Sequence, residues 1–186
     1  MTAIDISSTT GLIAMSLLTL NILLGLLLST NYNPVLRWPH RKIKIFTLHN
    51  WTGYIALCVA FLHPVLLLFS STAGFHPLDI ALPIWSPQQR NYNVLGALAF
   101  YLTAFVVITS YFRPRLGNHI WKKLHYTAYA AAWFFFSHGI LIDPNLKGQP
   151  PDLLDGEKLL VEFCAVLVIA GTVLRIRYRK PKRARS

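Results

Sequence analysis

Four of the seven histidines, His49, His63, His125 and His138, fall inside long apolar runs. An ionisable side chain is expensive to place there, and by default it marks function. They form two pairs, His49-x13-His63 and His125-x12-His138. At ~1.5 Å of helix rise per residue the members of each pair stand about 20 Å apart, one near each face of a bilayer. If both runs cross in the same direction, His49 is level with His125 and His63 with His138. One imidazole from each of two helices at a common depth is the ligand set of a six-coordinate iron porphyrin, since the neutral ring nitrogen is a good iron ligand. Two such sites, one above the other, divide the ~30 Å of hydrocarbon into shorter electron steps.

Three other readings fit the same residues. Histidines can hydrogen-bond between helices with no cofactor at all. A histidine-dependent ion or proton transporter without haem is the second, although relays usually mix Asp or Glu with His and the acid nearest a span is Glu162. Paired helix-breaking Gly/Pro segments at matching midplane positions, which transporters favour, are missing from the runs. A structural scaffold is the third; it would tolerate His63→Leu. The remaining histidines, His40, His76 and His119, lie in connections where a solvated ring needs no special role.

The spacing also sets a geometric problem. At ~100° per residue, 14 steps bring a helix back to within about 40° of its start, whereas 13 leave it about 140° away. His49 and His63 share a face; His125 and His138 do not on an ideal helix. Either the second run is tightened or kinked, or its two rings reach out from different flanks.

The elements that must carry these residues are membrane helices. The chain has 186 residues, of which 54% are apolar and 13% charged, against about 25% charged in a soluble domain. Its mean hydropathy is +0.44. Five runs are long and apolar enough to span, residues 11–29, 45–70, 92–112, 121–142 and 159–176. The first is a retained anchor rather than a signal peptide, because Asp5 and no Lys or Arg precedes it.

The net charge of +11 would raise nucleic acid for a soluble chain, but here the charges sit in clusters between the runs. Arg37, Arg41, Lys42 and Lys44, then Arg113, Arg115, Lys122 and Lys123, then the tail from Arg175 all fall on one side. The acids Asp5, Asp79, Asp143, Asp152, Asp155, Glu157 and Glu162 fall on or near the other. The positive-inside rule therefore predicts an outside N-terminus and a cytoplasmic C-terminus. The expected fold class is an all-α integral membrane bundle over 1–178, followed by a basic tail over 179–186 that lies against anionic lipid. Trp38, Trp51, Trp85 and Trp121 lie near span ends, where aromatic rings prefer the headgroups. The Pro-rich outer loops 75–87 and 143–158 read as ordered caps. Cys58 and Cys164 lie inside apolar runs, which supports neither a disulfide framework nor a zinc site. Gly53, Ala56, Ala128, Ala131 and Ala132 leave room near the histidine helices for a flat group. Leu48-His49-Asn50-Trp51-Thr52-Gly53-Tyr54 also aligns with Leu124-His125-Tyr126-Thr127-Ala128-Tyr129 with one residue skipped, as a duplicated helix would.

With its two histidine pairs, the approach Trp121-Lys122-Lys123-Leu124-His125 and Tyr129, the chain resembles the ferric reductase-like transmembrane domain over residues 10–178. That domain is shared by ferric reductases, NADPH oxidases and the haem subunit of the periplasmic methionine sulfoxide reductase system. The resemblance implies two b-type haems, the inner held by His49 and His125 and the outer by His63 and His138. Arg37, Arg41 or Arg115 would pair with haem propionates, since Arg meets carboxylates in bidentate fashion. Many relatives carry six spans and a flavin and nicotinamide domain, whereas this sequence shows five and no Gly-rich dinucleotide fingerprint. The expected donor is thus a cytoplasmic flavin reductase or a quinol. The acceptor would lie at the outer face, as ferric iron, a periplasmic redox partner or oxygen, and the setting is a bacterial inner membrane.

Overall fold

The computed structural model describes residues 1–30 and 44–177. Arg37, Trp38, His40, Arg41 and Lys42, with the tail 179–186, lie outside the described residues. Inner denotes the face of the basic clusters and outer the opposite one.

Helix α1 (Ala3–Thr30) opens on a reciprocal cap. The Thr2 backbone N–H donates to Asp5 Oδ2 at 2.7 Å and the Asp5 N–H to Thr2 Oγ1 at 3.2 Å, which satisfies donors that a helix start otherwise leaves open. Helix α2 (Ile45–Val65) tightens into a 3-10 turn over Leu66–Phe69. After the short α3 (Pro77–Ala81), α4 (Arg90–Tyr111) returns inward. Phe112 then caps both α4 and α5 (Arg113–His125); α6 (Thr127–Leu141) and α7 (Gly156–Arg177) complete the chain.

Four stretches are long and apolar enough to cross a membrane, Ala3–Thr30, Ile45–Phe69, Arg90–Tyr111 and Gly156–Arg177. Large side chains such as Phe61, Trp133, Phe163 and Ile169 stand more than half exposed on the helices. Water would penalise such a surface, whereas lipid solvates it. The protein is an integral membrane bundle, and every regular element among the described residues is helical.

The run expected as one span over 121–142 is divided. Helix α6 has 15 residues, about 22 Å by helix rise, which is short of the roughly 20 residues a span needs. Gly117, at φ 74°, breaks α5 near its start, a left-handed conformation that costs glycine little. Beyond it Lys122 and Lys123 are exposed beside half-buried Trp121 and Leu124, as on a helix lying partly in the interface.

Helix α1 packs most extensively on α2, and α4 on α6, with α7 against α1 and α6. The four helices α1, α4, α6 and α7 meet in a core of Met15, Ala99, Ala132, Phe135 and Val161. A Cβ at Gly139 would stand 2.8 Å from Met15 Cε, so glycine there lets α6 approach α1.

The outer loops form ordered caps. Gln89 Nε2 donates to the Asp143 carbonyl at 2.9 Å and the Asp143 N–H to Gln89 Oε1 at 2.7 Å. Asn93 Nδ2 donates to Ser86 Oγ and the Gln88 carbonyl, and Tyr101 Oη to the Ala81 carbonyl. The Asp143 carboxylate accepts from the N–H groups of Asn145, Lys147 and Gln149. Burial alone would raise its pKa, but those donors and the nearby Lys158 charge outweigh burial and hold it below its ordinary value.

Candidate functional site

The four histidines meet in the two level pairs. The rings of His49 and His125 lie 6.3 Å apart between centroids at an interplanar angle of 70°. Those of His63 and His138 repeat this at 6.3 Å and 67°. All four rings are half-buried.

Each ring is held from behind through Nδ1. His63 Nδ1 donates to the Ser7 carbonyl at 2.7 Å, His49 Nδ1 to that of Asn21 at 3.0 Å and His138 Nδ1 to that of Tyr92 at 2.7 Å. A carbonyl can only accept, so at these three rings Nδ1 carries the proton and Nε2 keeps its lone pair. His125 Nδ1 lies 3.2 Å from Ser110 Oγ instead. No Nε2 of the four makes a hydrogen bond among the described residues, and none is among the sealed, unpartnered polar atoms.

Helix α1 grips α2 at both levels. The Ser7 hydroxyl donates to the His63 carbonyl at 2.7 Å; Asn21 Nδ2 donates to the His49 carbonyl at 2.5 Å and to Thr52 Oγ1 at 2.9 Å. Glycine makes the rings fit. A Cβ at Gly11 would lie 3.0 Å from His63 Cε1, one at Gly25 3.2 Å from His49 Cε1 and one at Gly96 2.9 Å from His138 Cε1.

Within the 13-residue step from His125 to His138 the helix is interrupted at Tyr126, which ends α5 and starts α6. The Tyr126 N–H bonds the Lys123 carbonyl at 3.3 Å and the Tyr129 N–H the Tyr126 carbonyl at 3.1 Å. These three-residue bonds wind the chain more tightly at the junction of the two helices.

The outer pair opens on a cavity of about 510 Å³ that reaches Phe61, Phe100 and the outer loops. Lys158 lines it, only 4% exposed; its Nζ donates to the Gly139 carbonyl at 2.9 Å and also to that of Ile142. It thus closes the C-terminal end of α6, where a cation is favourable.

Arg115 is exposed near the start of α5, its guanidinium 5.6 Å from the Phe112 ring centroid, and it touches no histidine. Arg113 lies closer, 4.2 Å over the Trp121 ring, which in turn packs 5.0 Å from His125. Arg37 and Arg41 lie outside the described residues. Trp121 serves His125 and donates to Ser110 Oγ at 3.2 Å. A Cβ at Gly53 would stand 3.2 Å from Asn21 Nδ2, and Ala56, Ala131 and Ala132 are buried. His76 is exposed and pairs with Asp79, and His119 is exposed.

The ferric reductase-like transmembrane component family matches residues 10–136. The chain belongs to this family. Its match covers His49, His63 and His125 and stops two residues before His138, which the fold nevertheless sets opposite His63. No curated protein and no solved structure matches the chain. Family membership makes this a transmembrane electron-transfer component.

Proposed function

We propose that the protein is a membrane cytochrome b that carries electrons between the two faces through two bis-histidine haems. The observation that carries this reading is the paired rings at 6.3 Å. A metal ~2 Å from each Nε2, with Nε2 about 1 Å from its ring centre, places two facing imidazoles about 6 Å apart. No group of three or more His, Cys, Asp or Glu converges among the described residues. Each level therefore offers two nitrogen ligands, which suits an iron whose other four positions are filled by a porphyrin.

His49 and His125 would hold the inner haem, His63 and His138 the outer. Bound haem would supply one-electron carriage in hydrocarbon. The chain's own residues do the rest. The backbone carbonyls of Ser7, Asn21 and Tyr92 fix tautomer and orientation, as partners of metal-bound histidines commonly do. The cap of Gln89, Asn93 and Asp143 covers the outer end. Among the described residues that line the outer cavity, Lys158 is the cation that would meet a propionate. A cytoplasmic flavoprotein or quinol would donate, and ferric iron, a periplasmic redox partner or oxygen would accept.

Separate His49→Ala and His63→Ala variants test the assignment. Each is expected to lose one of two haems by pyridine haemochrome count. Full haem retention in both variants would overturn it.

A further inference from the structure

The ring supports obey a repeat that the ligand positions alone do not reveal. On α1, Ser7 and Asn21 are 14 residues apart, as are Gly11 and Gly25. The first two supply the carbonyls for His63 and His49, and the glycine four residues on leaves space for each ring. On α4, Tyr92 and Gly96 do the same for His138. Fourteen residues further along α4 stand Val106 and Ser110.

That fourth station is built differently. Ser110 stands where the other three have glycine. The Val106 carbonyl already accepts the Thr109 hydroxyl at 3.1 Å. His125 Nδ1 meets Ser110 Oγ at 3.2 Å, and the same oxygen accepts the Trp121 indole N–H at 3.2 Å. We infer that Ser110, with Trp121 sharing its oxygen, is a positioning residue that makes His125 a weaker iron donor than the other three histidines.

The physical argument runs through the Nδ1 proton. A good acceptor behind a metal-bound imidazole draws that proton away and raises the basicity of Nε2, which favours ferric over ferrous iron. The outer pair has two carbonyls at 2.7 Å. The inner pair has one carbonyl at 3.0 Å and a hydroxyl at 3.2 Å whose other lone pair is taken by Trp121. Through this contribution the inner site is the more easily reduced of the two. The inference rests on the two-haem reading.

Optical potentiometry of the purified protein tests it, the inner step being the one that His49→Ala abolishes. Ser110→Ala removes the acceptor and is expected to shift the inner midpoint upward. Trp121→Phe frees a lone pair for His125 and is expected to shift it downward. Ser110→Thr, which keeps a hydroxyl, is expected to stay near wild type, and the outer midpoint is expected to hold throughout. If Ser110→Ala instead loses only the inner haem and Ser110→Thr regains it, the positioning role also stands. Unchanged midpoints at full haem content, or equal shifts of both steps, would overturn the inference. A wild-type protein without haem would overturn it together with the two-haem reading, and the wild-type haem count tells that case apart.

Discussion

Gly96 and His138 touch so closely that a Cβ on the glycine would lie 2.9 Å from the ring's Cε1 and 3.0 Å from its Nδ1. The ring cannot simply swing away, because Nδ1 is bonded to the Tyr92 carbonyl one turn earlier on the same helix. The glycine and the carbonyl act as one seat.

Alanine at these seats is therefore expected to displace haem in graded fashion. Gly96→Ala, at 2.9 Å, and Gly11→Ala, at 3.0 Å from His63, should lose most of the outer haem; Gly25→Ala, at 3.2 Å from His49, should lose less of the inner. Haemochrome counts on the three variants check the order. Equal and complete retention would show that the rings have room to spare.

Asn21→Ala is expected to loosen the inner level. It removes the donors to the His49 carbonyl and Thr52 Oγ1, a loss of about 1–3 kcal/mol for part-buried groups left without partners. The inner haem should dissociate at a lower temperature than the outer, followed by the loss of its absorbance on heating. Asn21→Ser is expected to recover part of the effect if its hydroxyl reaches the same carbonyl.

Much of this site is legible in the sequence because histidines stand out in apolar runs. Their spacing alone sets two levels. The partners behind the rings are not legible in the same way, since Ser7, Asn21 and Tyr92 act through backbone carbonyls that every residue type possesses. A signal was nonetheless present: Gly11 and Gly25 repeat the 14-residue step of His49 and His63. The break at Tyr126 carries no Gly or Pro mark, and only the missing residue between His125 and His138 announced it. Trp121 reads as a headgroup anchor from its position, yet its ring packs on His125. The Pro-rich outer segments read correctly as caps, because Pro and Asn favour ordered turns.

Lys158→Met is expected to destabilise the outer end. The Gly139 and Ile142 carbonyls would lose their shared donor, at a cost of about 1–3 kcal/mol. Lys158→Arg, which keeps charge and donors, should retain more of the thermal stability read from tryptophan fluorescence.

Acid should act through Asp143. Its folded pKa lies below the ordinary 3.8, so its contribution is present above the unfolded value and fades as pH falls through the folded one. Asp143→Asn is expected to lower the thermal midpoint near neutrality and to flatten its decline below about pH 4. An unchanged acid limb in that variant would assign the decline to other carboxylates.

The central claim is met most directly by a dithionite-reduced minus oxidised visible spectrum of the detergent-purified protein, paired with a pyridine haemochrome count per chain. The account predicts a b-type reduced α-band and two haems per chain. A colourless protein from cells with ample haem would contradict it and return the paired histidines to proton or ion chemistry.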